Sequence, residues 1–78
     1  MGNAHASLTG RVKWFNDDKG FGFIVSGGVD YFAHFKAIKS KDKRKKLIEG
    51  EMVTFTPVEN AKGMKAEDVE VIEVDGNQ

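Results

Sequence analysis

The stretch from Phe21 to Phe35 constrains this chain more than any other. Phe21–Ser26 and Val29–Phe35 are two strand-like runs with alternating character, and Gly27-Gly28 lies between them. A two-residue glycine connection between such runs is a hairpin signal, because glycine supplies the positive φ angles that the tight hairpin turns need. In a strand, side chains at i and i+2 share a face. If the two runs pair as neighbours, Phe21, Phe23, Phe32 and His34 lie on one sheet face. Gly20 and Gly22 alternate with the two phenylalanines, and glycine within a strand marks a place where something approaches closely.

A plain hydrophobic core is the competing account of these rings. Val12, Ile24, Val53, Phe55 and Val69–Ile72 already supply apolar side chains for an interior. Leaving a phenylalanine exposed forgoes about 1.5–3 kcal/mol of burial, and a base stacked on it returns about 1–3 kcal/mol. The two magnitudes match. Rings beside lysines on one face suit bases to stack on and phosphates to pair with, so a binding face is the preferred reading.

The remaining chain is read in the same terms. Met1–Ser7 lacks periodicity and is expected to fray. Leu8–Asn16 is rich in strand formers, but its parity is not clean. If Val12 points inward, strict alternation also sends Trp14 inward and puts Arg11, Lys13 and Phe15 on the binding face. A bulge or strong twist near Trp14 would change that. Residues 16–20, Asn-Asp-Asp-Lys-Gly, form a turn. Lys36–Lys46 reads as a short helical turn followed by a basic loop. A fourth strand is expected over Met52–Val58, ended or placed on an edge by Pro57. Asn60–Gly63 is a loop, Ala66–Val74 a fifth strand and Asp75–Gln78 a polar tail. Five short strands with turns between them predict a single all-β domain, a barrel or sandwich.

At 78 residues a domain buries only about 60% of its unfolded surface, so its stability is expected to be marginal. With no cysteine, there is no disulfide framework, thiolate metal site or thiol nucleophile. No run is apolar enough to span a membrane, no signal-peptide core is visible, and Ala6 stands where a myristoylation signal requires Ser or Thr. A cytoplasmic protein is expected. Formal net charge is zero, but its distribution is uneven. Residues 36–46 carry Lys36, Lys39, Lys41, Lys43, Arg44, Lys45 and Lys46 against Asp42 alone, whereas residues 47–78 are predominantly acidic. The molecule should therefore have distinct positive and negative sides. The basic run reads either as a solvated loop or as an arm that contacts phosphates.

In order and spacing, three segments resemble the signature of the cold-shock domain family: residues 10–16 (Gly-Arg-Val-Lys-Trp-Phe-Asn), residues 19–24 (Lys-Gly-Phe-Gly-Phe-Ile), and Asp30-x-Phe32-x-His34-Phe35 with Ala37-Ile38. The last two are similar to its ribonucleoprotein motifs. The resemblance covers about Leu8 to Val74. It implies a five-stranded antiparallel oligonucleotide-binding barrel over residues 8–74 that binds single-stranded RNA or DNA with low sequence preference. It implies a ligand face made by Lys13, Trp14, Lys19, Phe21, Phe23, Asp30, Phe32, His34 and Phe35, with Lys62 nearby, and it favours an exposed Trp14. No cofactor, metal, membrane or small-molecule substrate is implied, and a monomer is expected.

The chain also departs from the family pattern. Bacterial members usually carry Gly-Phe-Lys in the loop after the third strand, and its phenylalanine stacks a base. Here residues 42–45 read Asp-Lys-Arg-Lys, with one extra residue. Lys43 and Arg44 are expected to replace that platform with phosphate contacts or a stacked guanidinium, giving weaker base preference and a steeper salt dependence. The usual Val-x-Val of the third strand is Tyr31-x-Ala33, a large and a small residue that together fill the interior volume of two medium ones. Met64 replaces a proline and leaves the last loop less restrained.

Two other function classes compete with nucleic-acid binding. Catalysis finds little support. His34 and Asp30 could form a base and its orienter, but no nucleophile motif or second carboxylate accompanies them. Gly20-Phe21-Gly22 lacks the third glycine of a dinucleotide fingerprint, no Gly-Lys-Ser/Thr phosphate loop exists, and His5 and His34 are too few for a metal site. A barrel that binds peptides in an aromatic groove is permitted by the rings alone; the basic run and the 19–24 motif favour nucleic acid.

Overall fold

The computed structural model describes residues 7–39 and 46–72. Five strands, β1 (Leu8–Asn16), β2 (Phe21–Ser26), β3 (Val29–His34), β4 (Met52–Asn60) and β5 (Gly63–Val71), close into a barrel in the order β1-β2-β3-β5-β4. A 3-10 turn over Phe35–Ala37 follows β3, so Phe35 opens this turn instead of ending the strand as expected. The expectations for the N-terminal segment through residue 6, for Lys43 and Arg44, and for the tail beyond residue 72 lie outside the described residues.

β2 and β3 form the expected hairpin. Phe21 pairs with His34 and Phe23 with Phe32. Gly27 and Gly28 have φ of 58° and 82°, the two positive angles of a tight turn whose twist matches that of its strands.

The barrel is mixed, not purely antiparallel. β1 pairs antiparallel with β2 and β4, and β5 antiparallel with β4, but β3 and β5 run parallel, joined at Phe32 and Lys65. An odd number of strands cannot alternate direction around a closed ring, so one seam must be parallel. That seam continues past β3 through an Ile38–Val69 bridge and a hydrogen bond from the Lys39 N–H to the Val69 carbonyl at 2.7 Å.

Both later strands are displaced from their expected bounds. β4 runs on to Asn60 and β5 starts at Gly63, so the expected loop shrinks to the turn Ala61-Lys62, with Asn60 paired to Gly63. Asn60 Oδ1 accepts the Lys62 N–H at 2.8 Å, a local side-chain bond of the kind that lets asparagine begin turns. Pro57 sits inside β4 opposite Ala66, but β1 accompanies β4 only as far as Phe55, so the proline lies beyond that ladder.

The core consists of Val12, Ile24, Tyr31, Ala33, Leu47, Val53, Phe55, Ala66 and Val69. Tyr31 and Ala33 both point inward as expected, and the Tyr31 ring packs on Phe55 with centroids 4.8 Å apart. Ile72, expected inside, is 37% exposed, whereas Leu47, which no strand pattern singles out, is buried. Ala66 and Val69 are both buried although three residues apart, which alternation forbids. A bulge resolves this: Thr56 pairs with Glu67 and Thr54 with Glu70, leaving Asp68 and Val69 opposite Phe55. Asp68 takes φ 49° there, a conformation that aspartate tolerates better than most residues.

Candidate nucleic-acid interface

A second bulge shapes the aromatic face. Val12 pairs with Ile24 but Trp14 pairs with Phe23, so Lys13 is an extra residue in β1. Val12 remains buried, while Lys13 and Trp14 both stand outside. Phe15 turns instead toward the core and packs against it, which corrects its placement on the face by strict alternation. Gly22 has the same cause. It is the buried strand position beneath the bulge, where a Cβ would collide with the Trp14 carbonyl and lie 2.6 Å from Phe15 Cα. What approaches Gly22 closely is the neighbouring strand, not a ligand.

The rings form an unbroken patch across three strands. Trp14 lies 6.0 Å from Phe21 and 5.4 Å from Phe23, centroid to centroid. Phe32 lies 5.6 Å from Phe21 and 5.8 Å from Phe23. His34 lies 6.5 Å from Phe32 and 4.7 Å from Phe35. Interplanar angles run from 34° to 74°, the tilted and edge-on arrangements that aromatic quadrupoles prefer. The phenylalanines and His34 are half-buried and Trp14 is 39% exposed. Each ring is thus held by its neighbours while keeping part of its surface in solvent.

Backbone bonds set the two rings at the far end. The Phe35 N–H donates to the Gly20 carbonyl at 2.8 Å, and the ring lies 3.5 Å from where a Gly20 Cβ would be. Gly20, at φ 76°, therefore serves both the turn and the ring above it. His34 Nδ1 accepts the Lys36 N–H at 3.2 Å. The neutral imidazole consequently carries its proton on Nε2, which is left as a donor.

Cations border the rings. Lys13 Nζ reaches Asp30 Oδ2 at 3.0 Å, with both side chains about half exposed. Lys19 stands exposed on the β1–β2 turn, where Asn16 Oδ1 accepts its N–H at 2.9 Å. Lys46 lies 3.8 Å from Asp17 on the same turn, which brings the end of the basic run to the edge of the face. Lys36 and Lys39 are exposed.

A groove separates the rings from the β4–β5 turn. Phe23, Asp30 and Phe32 form one wall; Asn60, Lys62, Met64 and Lys65 lie on the other. Lys62 therefore lies across the groove from Phe23 and Phe32. Lys65 was not foreseen. It joins the groove because the parallel seam sets it next to Phe32, and no local pattern carries that pairing. Among the described residues no cluster of three or more His, Cys, Asp or Glu side chains could hold a metal ion, and no helix is long and apolar enough to cross a membrane.

The chain was compared with known proteins. Residues 8–72 match the model of the family described as the "'Cold-shock' DNA-binding domain". Cold shock protein CapB of Pseudomonas syringae pv. tomato is 58% identical over 65 residues, covering 82% of this chain and 93% of the relative. Cold shock-like protein CspB of Escherichia coli is 53% identical over 64 residues, covering 80% and 89%. Among solved structures, drosophila Unr CSD456 superposes with a TM-score of 0.75 at 17% identity. That match covers 96% of this chain and 30% of the other, and it speaks to the fold alone.

Proposed function

The chain belongs to the cold-shock domain family, and from that premise we propose that it binds single-stranded RNA or DNA with low sequence preference. Bases stack on Trp14, Phe21, Phe23, Phe32, His34 and Phe35. Phosphates are guided by Lys13, Lys19, Lys62 and the basic run that includes Lys43 and Arg44. The observation that carries this reading is the continuous patch of half-exposed rings bordered by lysines. Every base has a flat face, so such a patch tolerates any sequence. A duplex keeps its bases stacked inside and offers them to no such patch.

By holding single strands, the protein prevents or melts weak secondary structure. We read it as an RNA chaperone that needs no ATP, works as a cytoplasmic monomer and performs no catalysis. Trp14 is the sole tryptophan, so its fluorescence reports one place on the face. Titration with a short single-stranded pyrimidine oligonucleotide should quench it, more weakly at high salt, and the matching duplex should not. An unresponsive Trp14 in a folded protein that retains no single strand would overturn the reading.

A further inference from the structure

Met64 carries the only sulfur among the residues that line the groove beside the rings. The chain has three methionines and no cysteine, so its reversible oxidation chemistry is confined to thioethers, whose sulfoxides can be reduced again. Met1 lies outside the described residues. Met52 is half-buried at the start of β4, paired with Arg11, and is not among the residues that line the groove. Met64 stands near the start of β5, where the family usually has proline. It is half-buried, packs against the core, and lines the groove together with Phe23 and Phe32. The preceding Lys62 and Gly63 are exposed, and nothing lies within 4 Å of where a Gly63 Cβ would be. The approach to Met64 is thus open to a small molecule.

We propose that Met64 is a reversible oxidation site whose sulfoxide lowers the affinity of the aromatic face for single strands. The oxidant is a hydroperoxide. The thioether sulfur attacks its terminal oxygen, the O–O bond breaks and an S–O bond forms. The remaining oxygen takes the proton and leaves as water or an alcohol. Sulfur loses two electrons and the peroxide gains them. A thiol-dependent sulfoxide reductase reverses the step, two thiols becoming a disulfide while the oxygen departs as water. The thioether is soft and apolar, a wall that suits a flat ring beside it. The sulfoxide is polar, and covering it with a stacked base removes its hydration without supplying a donor. Its oxygen also sets partial negative charge beside the path of a polyanion. Proline at this position has nothing to oxidise, so the device belongs to this chain's own Met64. The inference rests on the single-strand reading above and names how binding at that face is regulated.

The test uses the full chain, hydrogen peroxide and a short single-stranded pyrimidine oligonucleotide. Peptide mass spectrometry identifies the oxidised methionines, circular dichroism follows the fold, and Trp14 fluorescence reads the affinity. Peroxide that adds one oxygen at Met64 should weaken binding at least about five-fold with the fold intact. Methionine sulfoxide reductases of the A and B types, one for each sulfoxide epimer, should restore it. In Met64→Leu the ratio of treated to untreated affinity should stay near one, while Met52→Leu should still lose affinity on treatment. The inference is overturned by a Met64 that peroxide leaves unoxidised, by an oxidised Met64 with unchanged affinity, or by a loss that the reductases do not reverse. A loss that Met64→Leu also shows, or one that accompanies unfolding, overturns it equally. Each of these outcomes leaves the single-strand reading standing. Failure of the untreated chain to bind any single strand overturns that reading, and this inference with it.

Discussion

Gly22 lies directly beneath the Trp14 carbonyl, so close that a Cβ on the glycine would run into the oxygen. The glycine lets β1 bulge at Lys13 while staying hydrogen-bonded to β2, and the bulge turns Trp14 outward onto Phe21 and Phe23. One missing methyl group thus links the barrel's closure to its aromatic face.

Gly22→Ala should therefore destabilise the fold and damage the face together. Relief would require backbone movement, which puts the cost at the upper end of the ~1–3 kcal/mol for overpacked sites. In a domain this small each kcal/mol lowers Tm by about 4–8 °C. Thermal unfolding followed by circular dichroism measures this, and a Tm equal to that of the unaltered chain would refute the account of the bulge.

Phe32 is the ring that touches Phe21, Phe23 and His34. Phe32→Ala should weaken binding of a pyrimidine single strand by about 1–3 kcal/mol at every salt concentration. The slope of log affinity against log salt should hardly change, because no phosphate contact is lost.

Replacing Lys43, Arg44, Lys45 and Lys46 by glutamine should do the reverse. Each phosphate contact removed should flatten that slope by about 0.7, with the greatest loss of affinity at low salt. Should the glutamine variant and Phe32→Ala show the same salt behaviour, stacking and phosphate guidance are not divided as proposed.

Lys13→Met separates a binding role from a structural one. The Lys13–Asp30 pair is half exposed at 3.0 Å, and such pairs contribute about 0–1 kcal/mol. The urea midpoint should move little, while single-strand affinity falls and the salt slope flattens by about 0.7. A large loss of stability with unchanged binding would make the lysine a structural strut.

Asp68, at φ 49° in the β5 bulge, faces a conformational test. Asp68→Val should destabilise by about 1–2 kcal/mol, because a β-branched side chain resists the left-handed region. Asp68→Gly should be neutral or slightly stabilising. Urea denaturation of the two variants should rank them in that order.

Much of the architecture follows from local pattern. β1 and β2 occupy their expected residues, the Gly27-Gly28 turn is where the glycines put it, and Phe21, Phe23, Phe32 and His34 share a face. These features depend on alternation and on glycine's backbone freedom, both properties of neighbouring residues. The parallel seam was not among these features: an antiparallel barrel was expected, and a parallel pair becomes necessary only once five strands close into a ring.

What only the tertiary structure decided are the places where two strands must agree. A bulge is defined by its partner's register, so neither the outward Trp14 nor the burial of both Ala66 and Val69 is written in β1 or β5 alone. The resemblance to a family anticipated Trp14; alternation by itself left it open. Leu47 is buried by closure of the barrel and not by any periodicity around it. Lys65 reaches the groove because β5 meets β3 in parallel. By itself the sequence determined where the first hairpin turns and that Phe21, Phe23, Phe32 and His34 share a face. The fold decided which residues meet across strands distant in sequence, because that pairing is settled by closing one hydrophobic interior and not by any short stretch of chain.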